Sequence, residues 1–139
     1  MADELTQRFI DALHSVEQQQ DMETMTSLFS EDAELINAAR NFKPQGQEGA
    51  RQFWQQYRSA FDTIYSEFTS VKEGDGFAVL EWHGSGTRQN GQPLEYDGVS
   101  VIEHDGGHIR RFATYYDSSV FVGASEQGAS GTKGGGSSS

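Results

Sequence analysis

The sequence has no cysteine, so neither a disulfide nor a thiolate metal site can hold this chain together. Proline is scarce, and so is positive charge: 10 Lys and Arg stand against 21 Asp and Glu, a formal net charge of −11. A field of that sign repels phosphate, which argues against nucleic acid and anionic membrane as partners. No apolar run approaches the roughly 20 residues that a bilayer-spanning helix needs. The opening stretch, MADELTQRF, is acidic and lacks the apolar segment of a secretory signal. The expectation is a cytoplasmic protein that binds neither nucleic acid nor membrane. Its 139 residues suit one domain. A chain of that length can bury roughly two-thirds of its unfolded surface without staples.

Residues 123–139, GASEQGASGTKGGGSSS, contain eleven Gly or Ser and no large apolar side chain. Such a segment cannot offset the entropy of ordering. The folded domain is therefore expected over residues 1–122, followed by a flexible tail.

Within the domain, Leu5, Phe9, Leu13 and Val16 recur at helical spacing and predict a helix over about 4–18. Asp21 is suited to cap a second helix with Met22, Met25, Leu28 and Phe29 facing inward. The stretch Glu31-Asp32-Ala33 interrupts that pattern, and Glu34–Asn37 reads as a short strand. Ala50, Phe53, Trp54, Tyr57 and Phe61 place a third helix over about 47–61. Strand patterns follow over 64–72, 77–88, 93–104 and 108–118, with turn signals at Gly74-Asp75-Gly76, Asn90-Gly91 and Asp105-Gly106-Gly107. Helices first and an antiparallel meander afterwards define an α+β fold.

Side chains alternate across each strand. On 77–88 one face carries Phe77, Val79, Glu81, His83 and Ser85, and the other Ala78, Leu80, Trp82 and Gly84. Both faces hold apolar residues, so both are expected to be covered. The helices would cover one and a second subunit the other, with Trp82, Phe112 and Tyr116 as candidate contacts.

The stretch RFIDALHSVEQQQDMETMTSLFSEDAELIN resembles the opening of SnoaL-like and ketosteroid isomerase-like proteins of the nuclear transport factor 2-like superfamily. QGQEGARQFWQQY and DGVSVIEHDGGHIRRFATYYD extend the match over about residues 5–118. The resemblance implies a cystatin-like cone: a curved antiparallel sheet wrapped around three N-terminal helices, with an apolar pocket. It also implies homodimers formed through the convex sheet face. Members include isomerases, polyketide cyclases, dehydratases, epoxide hydrolases and noncatalytic domains, so the fold alone does not define the activity. Asn37 stands where the isomerases have a carboxylate base and where limonene epoxide hydrolases have a water-holding Asn. Tyr115-Tyr116-Asp117 matches the end of the hydrolases' last strand. Glu81 and His83 stand where those hydrolases carry an Arg and an Asp. Phe9 stands where the isomerases carry an oxyanion-donating Tyr.

Four residues are candidates for acid–base chemistry. Glu81 and His83, two apart on one strand, share a side, and a His beside a carboxylate is a workable proton carrier. Asp117 and Asn37 would position a water or a substrate hydroxyl. Phe9, Leu13, Leu35, Trp54, Tyr57, Phe61, Val79, Val99 and Val101 are the expected pocket lining, with Tyr115 as a further ligand contact. Asp97 joins them if a bulge at Gly98 turns it inward. No cofactor and no metal site is expected; His104, Asp105 and His108 are read as an exposed turn. Two functions follow: a cofactor-free acid–base enzyme on a small, mostly apolar molecule, or a noncatalytic ligand-binding or dimeric association domain.

Overall fold

The computed structural model describes residues 4–121. The expected tail, 123–139, lies outside the described residues, so the domain boundary at 122 stands as an expectation. No helix among the described residues is long and apolar enough to cross a membrane.

Three helices come first: α1 (Glu4–Gln19), α2 (Met22–Thr26) and α3 (Gly46–Ser59). The strands are β1 (Phe29–Asn37), β2 (Phe61–Gly74), β3 (Phe77–Arg88), β4 (Pro93–His104) and β5 (Ile109–Tyr116). They form one sheet in the order β1-β5-β4-β3-β2, curved and unclosed, antiparallel except that β1 runs parallel to β5. The α+β cone implied by the sequence is the fold observed.

The apolar stripe of α1 is buried throughout, with Phe9 and Val16 almost fully enclosed. Asp21 caps α2, its Oδ1 accepting the Thr24 N–H at 3.2 Å. That helix is shorter than its apolar pattern suggests. Leu28 and Phe29 leave it because the Leu28 carbonyl accepts the Ile109 N–H at 2.8 Å, which starts the parallel pairing with β5. Glu31-Asp32-Ala33 does not end the chain's extended run. It is a register irregularity between Phe29 and Glu34. There Ser30 Oγ donates to Asp32, and so does Arg110.

The helices lie on the sheet face carrying Leu80, Ile102 and Phe112, and these side chains join the stripe of α1 and the aromatic row of α3 in one core. This corrects the sidedness read from the sequence. Trp82, Phe112 and Tyr116 face the helices rather than a second subunit. Val79, Val99 and Val101 alternate onto the outer face. The outer face is the one that the resemblance assigns to a partner copy, and Tyr115 stands on it 43% exposed. Asp97 remains on the outer face too. The pairing of β3 with β4 runs through Trp82↔Gly98 and His83↔Asp97 without a shift, so Gly98 makes no bulge. Gly98 has a different role: a Cβ there would sit 2.3 Å from the Trp82 ring, which lies across it.

Candidate functional site

An aromatic cavity opens between α1, α3 and the inner sheet face. Its volume is about 80 Å³, several times the space one water needs. Phe9, Trp54, Tyr57, Trp82, Tyr96 and Phe112 supply most of the wall, and Leu13 and Phe61 complete the expected part of it. A short 3-10 turn, Ser118–Phe121, adds Phe121 to one side. Arg88 holds that turn by donating to the Val120 and Phe121 carbonyls at 3.1 and 2.6 Å.

Besides Arg40 and Gln56, three sets of polar groups stand in this wall. Asn37, at the end of β1, donates from Nδ2 to the Tyr116 hydroxyl at 3.1 Å. Its Oδ1 is buried without a partner among the described residues, and so is Trp54 Nε1. Trp82 Nε1 donates to Ser100 Oγ, which donates to Thr114 Oγ1, both at 3.0 Å. Finally, Tyr57 and Ser66 present hydroxyls backed by Glu17.

Glu17 is the functional candidate that the sequence reading missed. It is 2% exposed. Its Oε1 accepts the Ser66 N–H at 2.9 Å, and its Oε2 accepts the Ser66 and Tyr57 hydroxyls, both at 2.6 Å. These are charge-assisted bonds of the short, strong kind. Arg58 steadies the same corner through the Glu17 carbonyl at 3.0 Å. Burial and, next, the Glu17 charge push the Tyr57 phenol well above its usual range, so it stays a neutral hydroxyl. Tyr96 is raised likewise, by burial first and then by Tyr116. The signal for Glu17 was present in the spacing: the row Leu5, Phe9, Leu13, continued by four, lands on Glu17 rather than on solvent.

Of the four residues singled out for acid–base chemistry, the fold brings only Asn37 to the cavity. Phe9, Trp54 and Tyr57 line it as expected. Leu35 is fully buried in the core beside it and is not part of the wall. Glu81, His83, Asp97, Val99 and Tyr115 all project from the outer face, because β3, β4 and β5 present the alternate set of side chains to the helices. There His83 pairs with different partners from the one expected. Its Nδ1 meets Asp97 at 2.7 Å and its Nε2 meets Glu95 at 3.1 Å. The hydrogen bond to Asp97 does most to raise the His83 pKa; desolvation opposes it, and Glu95 adds to the rise. Asp117 is exposed and accepts the Ser119 N–H at 3.0 Å, which caps the last turn and lowers its pKa. The turn at Asp105 is of the same kind. Backbone N–H groups of His108 and Gly107 hold its carboxyl down at about 2.

A SnoaL-like domain model matches residues 6–112, and the chain belongs to that family. Curated proteins give no match. Solved structures share the fold at low identity. One is a protein with a ketosteroid isomerase-like fold from Catenulispora acidiphila, in complex with trimethylamine: 13% identity, TM-score 0.74, covering 84% of this chain and 88% of that one. Another is a nuclear transport factor 2-like protein from Exiguobacterium sp. 255-15: 18% identity, TM-score 0.68, covering 81% and 98%. A third, assigned as a SnoaL-like polyketide cyclase, comes from Shewanella putrefaciens: 14% identity, TM-score 0.68, covering 84% and 80%.

Proposed function

We propose that this chain binds a small, mostly apolar molecule bearing an oxygen function in the aromatic cavity. The observation that carries this is a mismatch. Two residues of the wall, Asn37 and Trp54, hold a buried acceptor and a buried donor with no partner among the described residues. Leaving such groups unpaired costs about 1–3 kcal/mol each, so a ligand gains what the protein lacks if small side-chain shifts bring these enclosed atoms to it. Most of the rest of the wall is aromatic and supplies apolar area and ring stacking. The relative assigned as a polyketide cyclase is consistent with an oxygenated carbon skeleton as ligand. The test uses 4-methylphenol and toluene as probes, followed by Trp fluorescence or ligand-observed NMR. The phenol should bind more tightly than toluene, and the difference should shrink in the Asn37→Leu, Trp54→Phe double variant. Equal binding of the two probes by the unaltered chain would remove the basis of this reading.

A second reading is an acid–base enzyme without a cofactor, and the buried Glu17 behind Tyr57 favours it. A ligand proton would pass to Tyr57 Oη as the Tyr57 proton passes to Glu17 Oε2. Return of a proton to a different ligand atom would complete a tautomerisation with no net change in the protein. Incubating the protein with an enolisable aryl ketone in heavy water should then speed loss of the α-proton signal. A rate equal to that of buffer alone would leave the binding function only.

A further inference from the structure

We propose that Glu17 sets the hydrogen-bonding polarity of the cavity, so that Tyr57 selects ligands that donate a hydrogen bond over ligands that only accept one. This rests on the cavity being the ligand site. Tyr57 Oη has a single hydrogen, and that hydrogen is committed to Glu17 Oε2 at 2.6 Å. What Tyr57 can show the cavity is therefore its lone pairs, which accept. The same wall holds a second acceptor, Asn37 Oδ1, and a donor, Trp54 Nε1, and Glu17 alters neither, so its effect is read from the ratio of two ligands. The ligand class follows: a phenol, an enol or another molecule with an O–H or N–H, rather than its ether, nitrile or simple ketone counterpart.

The carboxylate, not the tyrosine, is the source of this choice, and the backbone shows why. Ser66 N–H can only donate, and it donates to Glu17 Oε1 at 2.9 Å. In a Glu17→Gln variant the amide oxygen must take that position. The amide nitrogen then falls at the Oε2 position and donates to the hydroxyls of Tyr57 and Ser66. Tyr57 turns from donor to acceptor on its buried side, and its hydrogen is released toward the cavity. The substitution keeps the shape of the site and inverts what it recognises. Glu17 touches no ligand in this scheme; it is a positioning residue.

The experiment compares 4-methylphenol with 4-methylbenzonitrile, a probe of similar size that only accepts, in the unaltered chain and in Glu17→Gln. The ratio of their affinities should move toward the nitrile by about tenfold, the value of one hydrogen bond gained and one lost. The nitrile itself should bind more tightly than before. A merely structural Glu17 would weaken both probes together and leave the ratio alone, which would overturn the proposal. Tyr57→Phe provides the independent arm if the Gln variant fails to fold. It removes the acceptor without creating a donor, so the phenol should weaken and the nitrile should not strengthen. Unchanged phenol affinity in that variant also overturns the proposal. If neither probe binds the unaltered chain, the cavity reading itself fails, a result distinct from binding with an unshifted ratio.

Discussion

Glu17→Ala should destabilise the domain by about 2–4 kcal/mol, measured by urea unfolding with an unchanged dependence on denaturant. The effect comes from what remains behind. Ser66 is only 4% exposed, and its N–H loses its acceptor. The hydroxyls of Ser66 and Tyr57 lose theirs as well, though they lie 3.4 Å apart and can partly turn to each other. That escape keeps the estimate below the sum of three stranded groups. Glu17→Gln should lose much less, because an amide can still meet all three partners. A Glu17→Ala protein as stable as the parent would mean that the carboxylate is not holding this corner.

Phe112→Ala should cost about 3–5 kcal/mol, the range for deleting a large buried ring. Phe112 is 2% exposed, and its ring lies 5.2 to 5.6 Å, centre to centre, from Trp54, Phe9 and Phe53. Those neighbours come from α1 and α3, which cannot both close on the gap. The loss is a large part of the 5–15 kcal/mol that a typical domain has in total. Tyr115→Ala is the matching control. It changes the next but two residue along β5, on the opposite face, at a site 43% exposed. Surface changes of that kind usually stay within about 0.5 kcal/mol. Comparable losses at Phe112 and Tyr115 in dilute protein would mean that the inner and outer faces have been assigned the wrong way round.

That face assignment is also where sequence reading succeeded and failed most clearly. Element order was legible, and so were the limits of β3 and β4, since helical spacing and Gly-bearing turns are local signals; the second helix ends and the first strand begins earlier than their patterns imply. β3 and β4 begin and end at the residues their patterns and turns imply. The parallel pairing of β1 with β5 was not legible, because it joins residues some 80 positions apart, such as Leu35 and Phe112. The faces were in principle readable. The set Glu81, His83, Glu95, Asp97 and Glu103 gathers acids and a histidine on one side, while Ala78, Leu80, Trp82, Tyr96, Ser100 and Ile102 carry no charge near neutral pH. Charge is expensive to bury, so the charged side should be outermost. Reading those same groups as chemistry pulled them inward. Glu17 shows the opposite error: a carboxylate on a buried row was passed over. Its partners, Tyr57 and Ser66, are 40 and 49 residues away, so only the fold reveals that its charge is accommodated.

The corner built around Glu17 bears on how copies of this chain can meet. β2 is a border of the sheet, and its backbone there is met by side chains of α1: Gln18 reaches the Ile64 carbonyl, His14 the Ser66 carbonyl and Glu17 the Ser66 N–H. At the other border, β1 is met by the segment before α3, with Leu35 N–H on the Pro44 carbonyl and Asn37 exchanging two bonds with Phe42. Beyond Ser66 the β2 border carries Glu67, Lys72 and Glu73, charges that discourage an incoming strand. Open borders are where sheets grow from molecule to molecule into fibres. With one rim sewn by a loop and the other by a helix's polar side chains, endless side-by-side growth of this kind is discouraged.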